Sequence, residues 1–130
     1  MAIQRFRTIE EMTAAPVVVP PGDGFERLAR HCAELGRPAG EVESSQQAIA
    51  VIATDDGAAR DSLDRAKRVY GPRMTEGLEE HGLWGSPERI TRRIRDLVAA
   101  GCTLFVIEFF GKDPLEPARF FAREVAPAFR

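Results

Sequence analysis

One segment of this chain has the residue pattern of an anion-binding site. Ser86 is followed by Pro87 and Glu88, and this order is typical of a helix start, because Ser caps a helix, Pro fits its first position and Glu favours the positive end of the helix dipole. The free backbone amides of such a first turn could hold a phosphate beside Ser86. The same residues also form an ordinary N-cap, which is the commoner role, so both interpretations stay open.

A second candidate segment is Gly111-Lys112-Asp113, which follows an apolar stretch. Gly111 could let the backbone approach a bound cofactor and Lys112 could bring an ammonium group to it, but a surface turn accounts for the same residues. Glu108 interrupts the apolar stretch near its end, where barrel enzymes often have catalytic carboxylates, or it points outward to a charged helix face. We predict cofactor binding by Ser86, Gly111 and Lys112, and leave catalytic residues unassigned.

The histidines and cysteines form no metal-binding pattern. His31 and His81 have no third ligand at a metal-site spacing, and Cys32 and Cys102 lie far apart without a CxxC or Cys/His cluster. We predict no metal site and no disulfide, with both cysteines as buried or half-buried thiols. The sequence also contains no GxSxG, GxGxxG or P-loop motif, so neither a serine hydrolase nor the usual nucleotide-binding sites are indicated.

Helices and strands alternate along the chain in the predicted structure. Apolar residues at helical spacing predict helices over residues 25–35, 55–70, 87–100 and 114–129. Apolar runs predict strands over residues 17–19, 48–53 and 104–109, and the last two are continuous, which is typical of strands covered on both faces. A short helix near Thr8 and a long connection over residues 73–85, with a helical turn around 76–81, complete the prediction.

This order of elements predicts a parallel α/β structure, in which ligands bind at the carboxyl ends of the strands. Residues 20–23, 54–57 and 108–113 are expected at that edge, together with the loop that leads into Ser86. Thr54 or Asp55 is predicted to cap the helix that follows, and Gly71-Pro72 to end it. The helix after Ser86 carries a row of arginines with the spacing of a solvated helix face: Arg89, Arg92, Arg93 and Arg95.

Composition limits the function classes. The chain has 130 residues, of which 44% are hydrophobic and 29% charged, which suits one domain. Its 18 Lys and Arg against 20 Asp and Glu give a formal net charge of −2, so nucleic acid is not expected as a partner. No apolar run approaches the roughly 20 residues that cross a bilayer, and residues 1–10 carry no apolar segment resembling a signal sequence. We expect a soluble cytoplasmic protein without a membrane partner.

Three segments together resemble a known family. They are residues 25–37 (FERLARHCAELGR), 84–101 (WGSPERITRRIRDLVAAG) and 103–129 (TLFVIEFFGKDPLEPARFFAREVAPAF). Their order and spacing are similar to the C-terminal part of the bacterial luciferase-like monooxygenases, whose chains end with a Gly-Ser/Thr-Pro-Glu helix, an apolar strand and a final amphipathic helix. The resemblance implies a (β/α)8 TIM barrel and an oxidoreductase or monooxygenase that acts on a small molecule and uses FMN or the deazaflavin coenzyme F-420.

The resemblance runs from about Asp23 onward and implies a truncated barrel. Family members are more than twice as long as this chain, so it would supply only about three C-terminal strand–helix units with parallel strands. We interpret residues 1–22 as an N-terminal arm with a short helix and a short strand, and residues 23–130 as the C-terminal portion of the barrel. Three strands cannot close a barrel and their edges need cover, so we expect a homo-oligomer or a complementing chain.

Two functions follow from the sequence. The first is a luciferase-like flavin- or deazaflavin-dependent oxidoreductase whose site another chain completes. The second is a non-catalytic α/β remnant that buries its exposed sheet in a homo-oligomer, since contiguous exposed apolar surface marks an interface. It is motivated by the large apolar residues of the second half, which include Phe105, Phe109, Phe110, Phe120, Phe121 and Phe129. Ligand binding at the carboxyl ends of the strands distinguishes the two.

Overall fold

The structure is a computed structural model that describes residues 24–130. The predicted N-terminal arm over residues 1–22, with its short helix and its strand over 17–19, and the expected ligand-face residues 20–23 lie outside the described residues. The helices are α1 (Gly24–Glu34), α2 (Asp56–Thr75), α3 (Leu78–His81), α4 (Pro87–Ala99) and α5 (Leu115–Glu124). The strands are β1 (Ser45–Ile52), β2 (Leu83–Gly85) and β3 (Leu104–Phe109), and short 3-10 turns occupy Ala39–Glu41 and Ala126–Phe129.

The three strands form one parallel sheet in the order β2-β1-β3. In the register of the sheet, Ala50 of β1 lies beside Leu83 of β2 and Ser45 lies beside Leu104 of β3. Parallel strands with connecting helices confirm the predicted α/β class. Because β1 is central, the chain passes from β2 across β1 to reach β3, and its helices cover both faces of the sheet.

Two apolar clusters cover the two faces. The first joins α4 and the end of α5 to the sheet and contains Ala50, Ile52, Leu83, Ile90, Ile94, Leu97, Cys102 and Val125. The second joins α2 and α3 to the opposite face and contains Val51, Ala59, Leu63, Ala66, Leu78 and Trp84. The carboxyl half of β1 is therefore covered on both faces, as its continuous apolar sequence predicts.

Local sequence explains where the helices begin and end. The Asp55 side chain accepts a hydrogen bond from the Ala58 amide at 2.8 Å, so it caps α2 as predicted. At Gly71 the backbone has φ 76° and ψ 167°, which interrupts the helical geometry before Pro72, and one further turn continues to Thr75. The predicted helical turn around residues 76–81 is α3. The final helix is shorter than predicted, because it ends at Glu124 and a 3-10 turn with Pro127 in its first positions follows.

Two predictions about the strands are wrong. Strand β2 lies within the segment predicted as a long connection, where three buried residues are too few to give an alternating pattern. Strand β3 is not covered on both faces, since its burial alternates and the side chains of Leu104 and Val106 are 42% and 53% exposed. The cause is that α2 packs against Val51 and Trp84 of the neighbouring strands, while only the other face of β3 lies against the first cluster.

No helix in the span 24–130 is long and apolar enough to cross a membrane.

Candidate functional site

Three loops meet at the carboxyl edge of the sheet. Because the strands are parallel, the loops that follow β1, β2 and β3 leave the sheet on the same side, where α/β proteins bind ligands. The first loop leads to Asp55 and Asp56, the second is Ser86, and the third runs from Phe110 to Asp113. The predicted site residues Ser86, Gly111 and Lys112 therefore lie on the expected edge.

A carboxylate of the chain itself occupies the start of α4. The Ser86 amide donates a hydrogen bond to Oδ1 of Asp56 at 2.8 Å, and Nη1 of Arg89 lies 3.8 Å from Oδ2 of Asp56. The hydrogen bond from Ser86 is the main cause that lowers the pKa of the Asp56 carboxyl, and the positive charge of Arg89 adds to it. Asp56 is therefore charged at neutral pH and occupies the position predicted for a bound anion.

The backbone amide and the hydroxyl oxygen of Ser86 are both hydrogen-bonded within the chain. Its hydroxyl oxygen accepts a hydrogen bond from the Arg89 amide at 3.3 Å, which is the predicted N-cap. Its own amide is bound to Asp56. A phosphate that binds the Ser86 amide would therefore have to displace the Asp56 carboxylate. Anion binding by Ser86 stays a prediction.

Gly85 makes this arrangement possible. Its backbone has φ 122°, a conformation that L side chains rarely adopt, and a Cβ there would lie 2.3 Å from Cδ of Arg89 and 2.8 Å from Oδ1 of Asp56. The lack of a side chain at Gly85 therefore allows Asp56 and Arg89 to approach the start of α4.

Two cations lie over the Trp84 ring beside the same edge. Trp84 is 4% exposed, and the guanidinium carbons of Arg60 and Arg89 lie 4.6 Å and 4.0 Å from its ring centroid. Its indole N–H donates to the carbonyl oxygen of Glu79 at 2.7 Å. This geometry fixes the positions of two positive charges near the loops after β1 and β2.

Glu79 joins α3 to α2 through its carboxylate. One carboxylate oxygen accepts a hydrogen bond from Nζ of Lys67 at 2.5 Å and the other from Arg60. These two bonds, Lys67 first, lower the pKa of Glu79 to about 2. Sequence reasoning missed this cluster, because its members lie 12 and 19 positions apart on two different helices and no single periodic pattern contains them.

Glu108 lies on the face of the sheet that α2 covers. The Tyr70 hydroxyl donates to Oε1 of Glu108 at 2.5 Å, and the Tyr70 ring lies 5.9 Å from the Phe110 ring. Burial, followed by the bond to the Glu108 carboxylate, raises the pKa of Tyr70 to about 12. The sequence left two interpretations of Glu108 open, and in the structure its side chain points toward helix α2. Tyr70 is protonated at neutral pH and donates the hydrogen bond to it.

The loop after β3 is open to solvent. Gly111 and Lys112 are exposed, and within the described part of the chain Lys112 takes part in no hydrogen bond or ion pair. The structure brings Ser86 to Asp56 but gives no contact between Ser86 and Lys112. Since β1 separates β2 from β3, their ends are about 10 Å apart. A ligand that reaches both would lie across the end of β1.

The arginine row of α4 is exposed at Arg89, as at two other members, and the prediction of a solvated face is wrong only for Arg93, which is half-buried. Arg89 lies over the Trp84 ring, and Nε of Arg93 donates to the carbonyl oxygen of His81 at 3.0 Å. Arg92 and Arg95 are exposed as predicted. The tertiary contacts of an arginine depend on residues of other elements that pack beside it, and the spacing of residues within one helix does not predict them.

The thiols are buried and the histidines bind carboxylates. Cys32 and Cys102 are free and buried, as predicted, and burial raises the pKa of the Cys102 thiol. Nδ1 of His31 lies 3.0 Å from Oε2 of Glu34. Among the residues that the structure describes, no three His, Cys, Asp or Glu side chains cluster in a way that could hold a metal ion.

A groove lies away from the carboxyl edge. It has a volume of about 990 Å³ and runs along residues 43–49, at the amino half of β1. Phe25 and Leu28 of α1, Leu78 of α3 and Leu97 of α4 contribute to its walls. None of the three predicted cofactor-binding residues lines it.

Known proteins support the fold class and leave the family open. No family model matches the chain, and no curated protein matches it. Its structure is similar to that of the coenzyme F-420-dependent tetrahydromethanopterin reductase from Methanopyrus kandleri, with a TM-score of 0.54 and 16% sequence identity over 82% of this chain and 41% of that chain. The likeness shows the fold alone, a partial TIM-barrel-like α/β structure, and this chain spans less than half the length of the reductase.

Proposed function

We propose that this chain is the C-terminal part of a luciferase-like oxidoreductase that binds FMN or the deazaflavin coenzyme F-420 and completes its site with another chain. The observation that carries the proposal is the likeness in fold, over 82% of this chain, to a reductase whose name states a dependence on coenzyme F-420. The sequence resemblance to the luciferase-like family points to the same class. The carboxyl edge of the sheet is the position where such a ligand would bind.

The residues at this edge fit a phosphorylated cofactor in part. Lys112 is an exposed ammonium group without an internal partner among the described residues, so it can bind a phosphate without breaking an existing contact. At Ser86 the Asp56 carboxylate is already in place, and like charges repel one another. We therefore assign the first phosphate contact to Lys112 and expect Asp56 and the cofactor to compete for Ser86.

The chemistry would come from the cofactor. When bound and reduced, a flavin or deazaflavin supplies hydride transfer or oxygen activation, and the protein positions it and keeps water away. This chain contributes Lys112 and the backbone at Gly111 to binding. Tyr70 has a pKa raised to about 12, so it can donate a hydrogen bond at neutral pH and is not a candidate base.

The need for another chain follows from the open sheet. Within the part of the chain that the structure describes, strands β2 and β3 both lie at an edge, and the exposed side chains of Leu104 and Val106 lie on one face of β3. Open edges and apolar faces of this kind are normally covered. A complementing chain would cover them and supply the residues that this portion of a barrel does not contain.

The test is a titration of the purified chain with FMN and, separately, with coenzyme F-420, followed by the fluorescence of each cofactor. We expect saturable binding that weakens at least fivefold in Lys112→Glu. Arg95→Glu is the matched control, because it makes the same change of charge on an exposed residue of α4 away from the carboxyl edge. Absence of saturable binding of either cofactor, or equal weakening in both variants, would reject the proposed site.

A second candidate is a non-catalytic α/β module that forms homo-oligomers. The exposed apolar side chains of β3, Leu104 and Val106, favour it, together with Phe129, which is 40% exposed. Sedimentation over a range of protein concentrations tests it, with association expected to weaken in Val106→Lys. A chain that stays a folded monomer at all concentrations contradicts this candidate and leaves cofactor binding unaffected.

A further inference from the structure

One edge of β1 is only partly paired. On one side, β3 pairs with β1 from Ser45 to Ala50. On the other side, β2 pairs only with the last three residues of β1, from Ala50 to Ile52. The chain just before β2 forms α3 and Gly82, so β2 does not extend further along β1. Residues 45–49 therefore have no neighbouring strand on the β2 side within the described part of the chain.

The backbone of this edge can accept a strand. The Ala53 amide donates to the carbonyl oxygen of Gly85 at 3.2 Å, which identifies the side of β1 that faces β2. Every second residue of a strand directs its backbone groups to the same side, so the amides of Gln47 and Ile49 also point there. Backbone groups in a row without a partner strand are a template for an added one.

The groove of about 990 Å³ runs along this edge and has apolar walls on both faces of the sheet. Phe25 and Leu97 line it on the face of the first apolar cluster, and Leu78 lines it on the face of the second. A strand that is covered on both faces has a continuous apolar sequence. Since residues 45–49 span roughly 16 Å, the groove fits an extended apolar segment of about five residues.

The groove is also acidic. Four carboxylates and one guanidinium line it, those of Glu43, Glu76, Asp96, Glu108 and Arg93. Nε of Arg93 donates to the carbonyl oxygen of His81 and not to one of these carboxylates. Among residues 24–130, no hydrogen bond or ion pair engages the carboxylates of Glu43, Glu76 and Asp96. The groove therefore favours a segment that carries Lys or Arg.

We infer that this groove binds an extended segment of a partner polypeptide as an added strand along residues 45–49 of β1, and that this segment has an apolar centre and basic ends. The β1 backbone supplies hydrogen bonds, the apolar walls take the central side chains and the carboxylates select the basic ends. The strands of the chain itself do not have this pattern, since β1, β2 and β3 contain no Lys or Arg. A second copy of these strands is therefore not the expected occupant.

Amide hydrogen exchange of the full chain, followed by NMR, tests this inference with the synthetic peptide Lys-Lys-Val-Ala-Val-Ala-Val-Lys-Lys. We expect saturable slowing of exchange at Gln47 and Ile49 by at least tenfold as the peptide is added. The Val51 amide, which belongs to the paired part of β1, should be unaffected. The control peptide Glu-Glu-Val-Ala-Val-Ala-Val-Glu-Glu has the same centre and opposite charges, and it should give no slowing.

A pair of double variants tests the role of the carboxylates. Glu43→Gln combined with Asp96→Asn removes two charges from the groove and should weaken binding of the Lys peptide at least threefold. Glu88→Gln combined with Glu116→Gln is the matched control, because it removes two charges from exposed residues that do not line the groove. This control should leave the affinity unchanged.

Four results would overturn the inference. Absence of slowing by the Lys peptide would reject the added strand, and equal slowing by both peptides would reject selection by charge. Slow exchange at Gln47 and Ile49 without peptide would mean that the edge is already covered. Slowing that rises with protein concentration in the absence of peptide would assign the groove to a second copy of the chain. None of these measurements involves a cofactor, so this inference and the proposed function can fail separately.

Discussion

The Asp56 carboxylate accepts a hydrogen bond from the Ser86 amide at 2.8 Å. Asp56 belongs to the first turn of α2 and Ser86 caps α4, so this bond joins the loops that follow two neighbouring strands. A negative charge is favourable at the N-terminus of a helix, and here the chain supplies that charge itself. An external anion at this position would therefore have to compete with the Asp56 carboxylate.

The first prediction follows from this competition. Asp56→Asn removes the charge and keeps an acceptor for the Ser86 amide, whereas Asp56→Ala removes both. We expect FMN to bind severalfold more tightly in Asp56→Asn and more tightly again in Asp56→Ala, measured by fluorescence titration. Asp61→Asn changes the charge of an exposed residue elsewhere on α2 and should leave the affinity unchanged. Unchanged or weaker binding in both Asp56 variants would contradict competition at Ser86.

The second prediction concerns Gly85. A Cβ at this position would meet Cδ of Arg89 at 2.3 Å and Oδ1 of Asp56 at 2.8 Å, at a φ of 122°. We expect Gly85→Ala to lower the free energy of unfolding by about 2–4 kcal/mol, measured by urea denaturation, because it combines backbone strain with steric overlap.

Two other glycines separate these causes. Gly36 has φ 66° and open space around its Cβ position, so Gly36→Ala tests strain alone and should cost about 1–2 kcal/mol. Gly40 has open space and no positive φ, so Gly40→Ala should change the free energy of unfolding by less than about 0.5 kcal/mol. Equal costs at Gly36 and Gly85 would show that the contacts with Asp56 and Arg89 do not matter.

Elements with local signals could be predicted from the sequence. The caps at Asp55 and Ser86 lie where the residue types place them, since a cap depends on residues within one turn. Strand β2 could not be predicted, because it has three residues and its pairing partner Ala50 lies more than thirty positions earlier. The exposure of Val106 depends on which strands α2 covers, and this follows from the strand order and not from the apolar run.

The same distinction applies to the candidate site. The position of Ser86 at the carboxyl edge could be predicted, because the order of strands and helices fixes which loops leave the sheet on that side. The partner of Ser86 could not be predicted from its own motif, since Asp56 is 30 residues away. Tyr70 and Glu108 are 38 residues apart, and each has an ordinary structural interpretation when taken alone.

The third prediction concerns the acid stability that Glu79 provides. Hydrogen bonds from Lys67 and Arg60 lower the pKa of Glu79 from 4.5 to about 2. A carboxyl whose pKa is lowered by folding stabilises the protein above its unfolded pKa, and this stabilisation is lost as the pH falls through the folded pKa. The contribution of Glu79 is therefore complete above a pH of about 4.5 and disappears toward a pH of about 2.

Urea unfolding of Glu79→Gln as a function of pH checks this. We expect the variant to be less stable than the native chain at pH 7 and the difference to vanish as the pH approaches about 2. Glu80→Gln is the matched control, because the Glu80 side chain is 77% exposed and its one ion pair is with the adjacent His81. A difference between Glu79→Gln and the native chain that is the same at every pH would contradict the assignment.

The fourth prediction uses Tyr70, the only tyrosine in the chain. Burial and the hydrogen bond to Glu108 raise the pKa of Tyr70 from 10.0 to about 12. The protonated Tyr70 therefore stabilises the folded chain fully below a pH of about 10, and this stabilisation is lost as the pH rises through about 12. Titration by tyrosinate absorbance should show a midpoint near 12 in the folded chain. Glu108→Gln should lower this midpoint only in part, because burial is the larger cause, while Glu116→Gln on exposed α5 should leave it unchanged. A midpoint near 10 in the folded chain would mean that Tyr70 is neither buried nor hydrogen-bonded to Glu108.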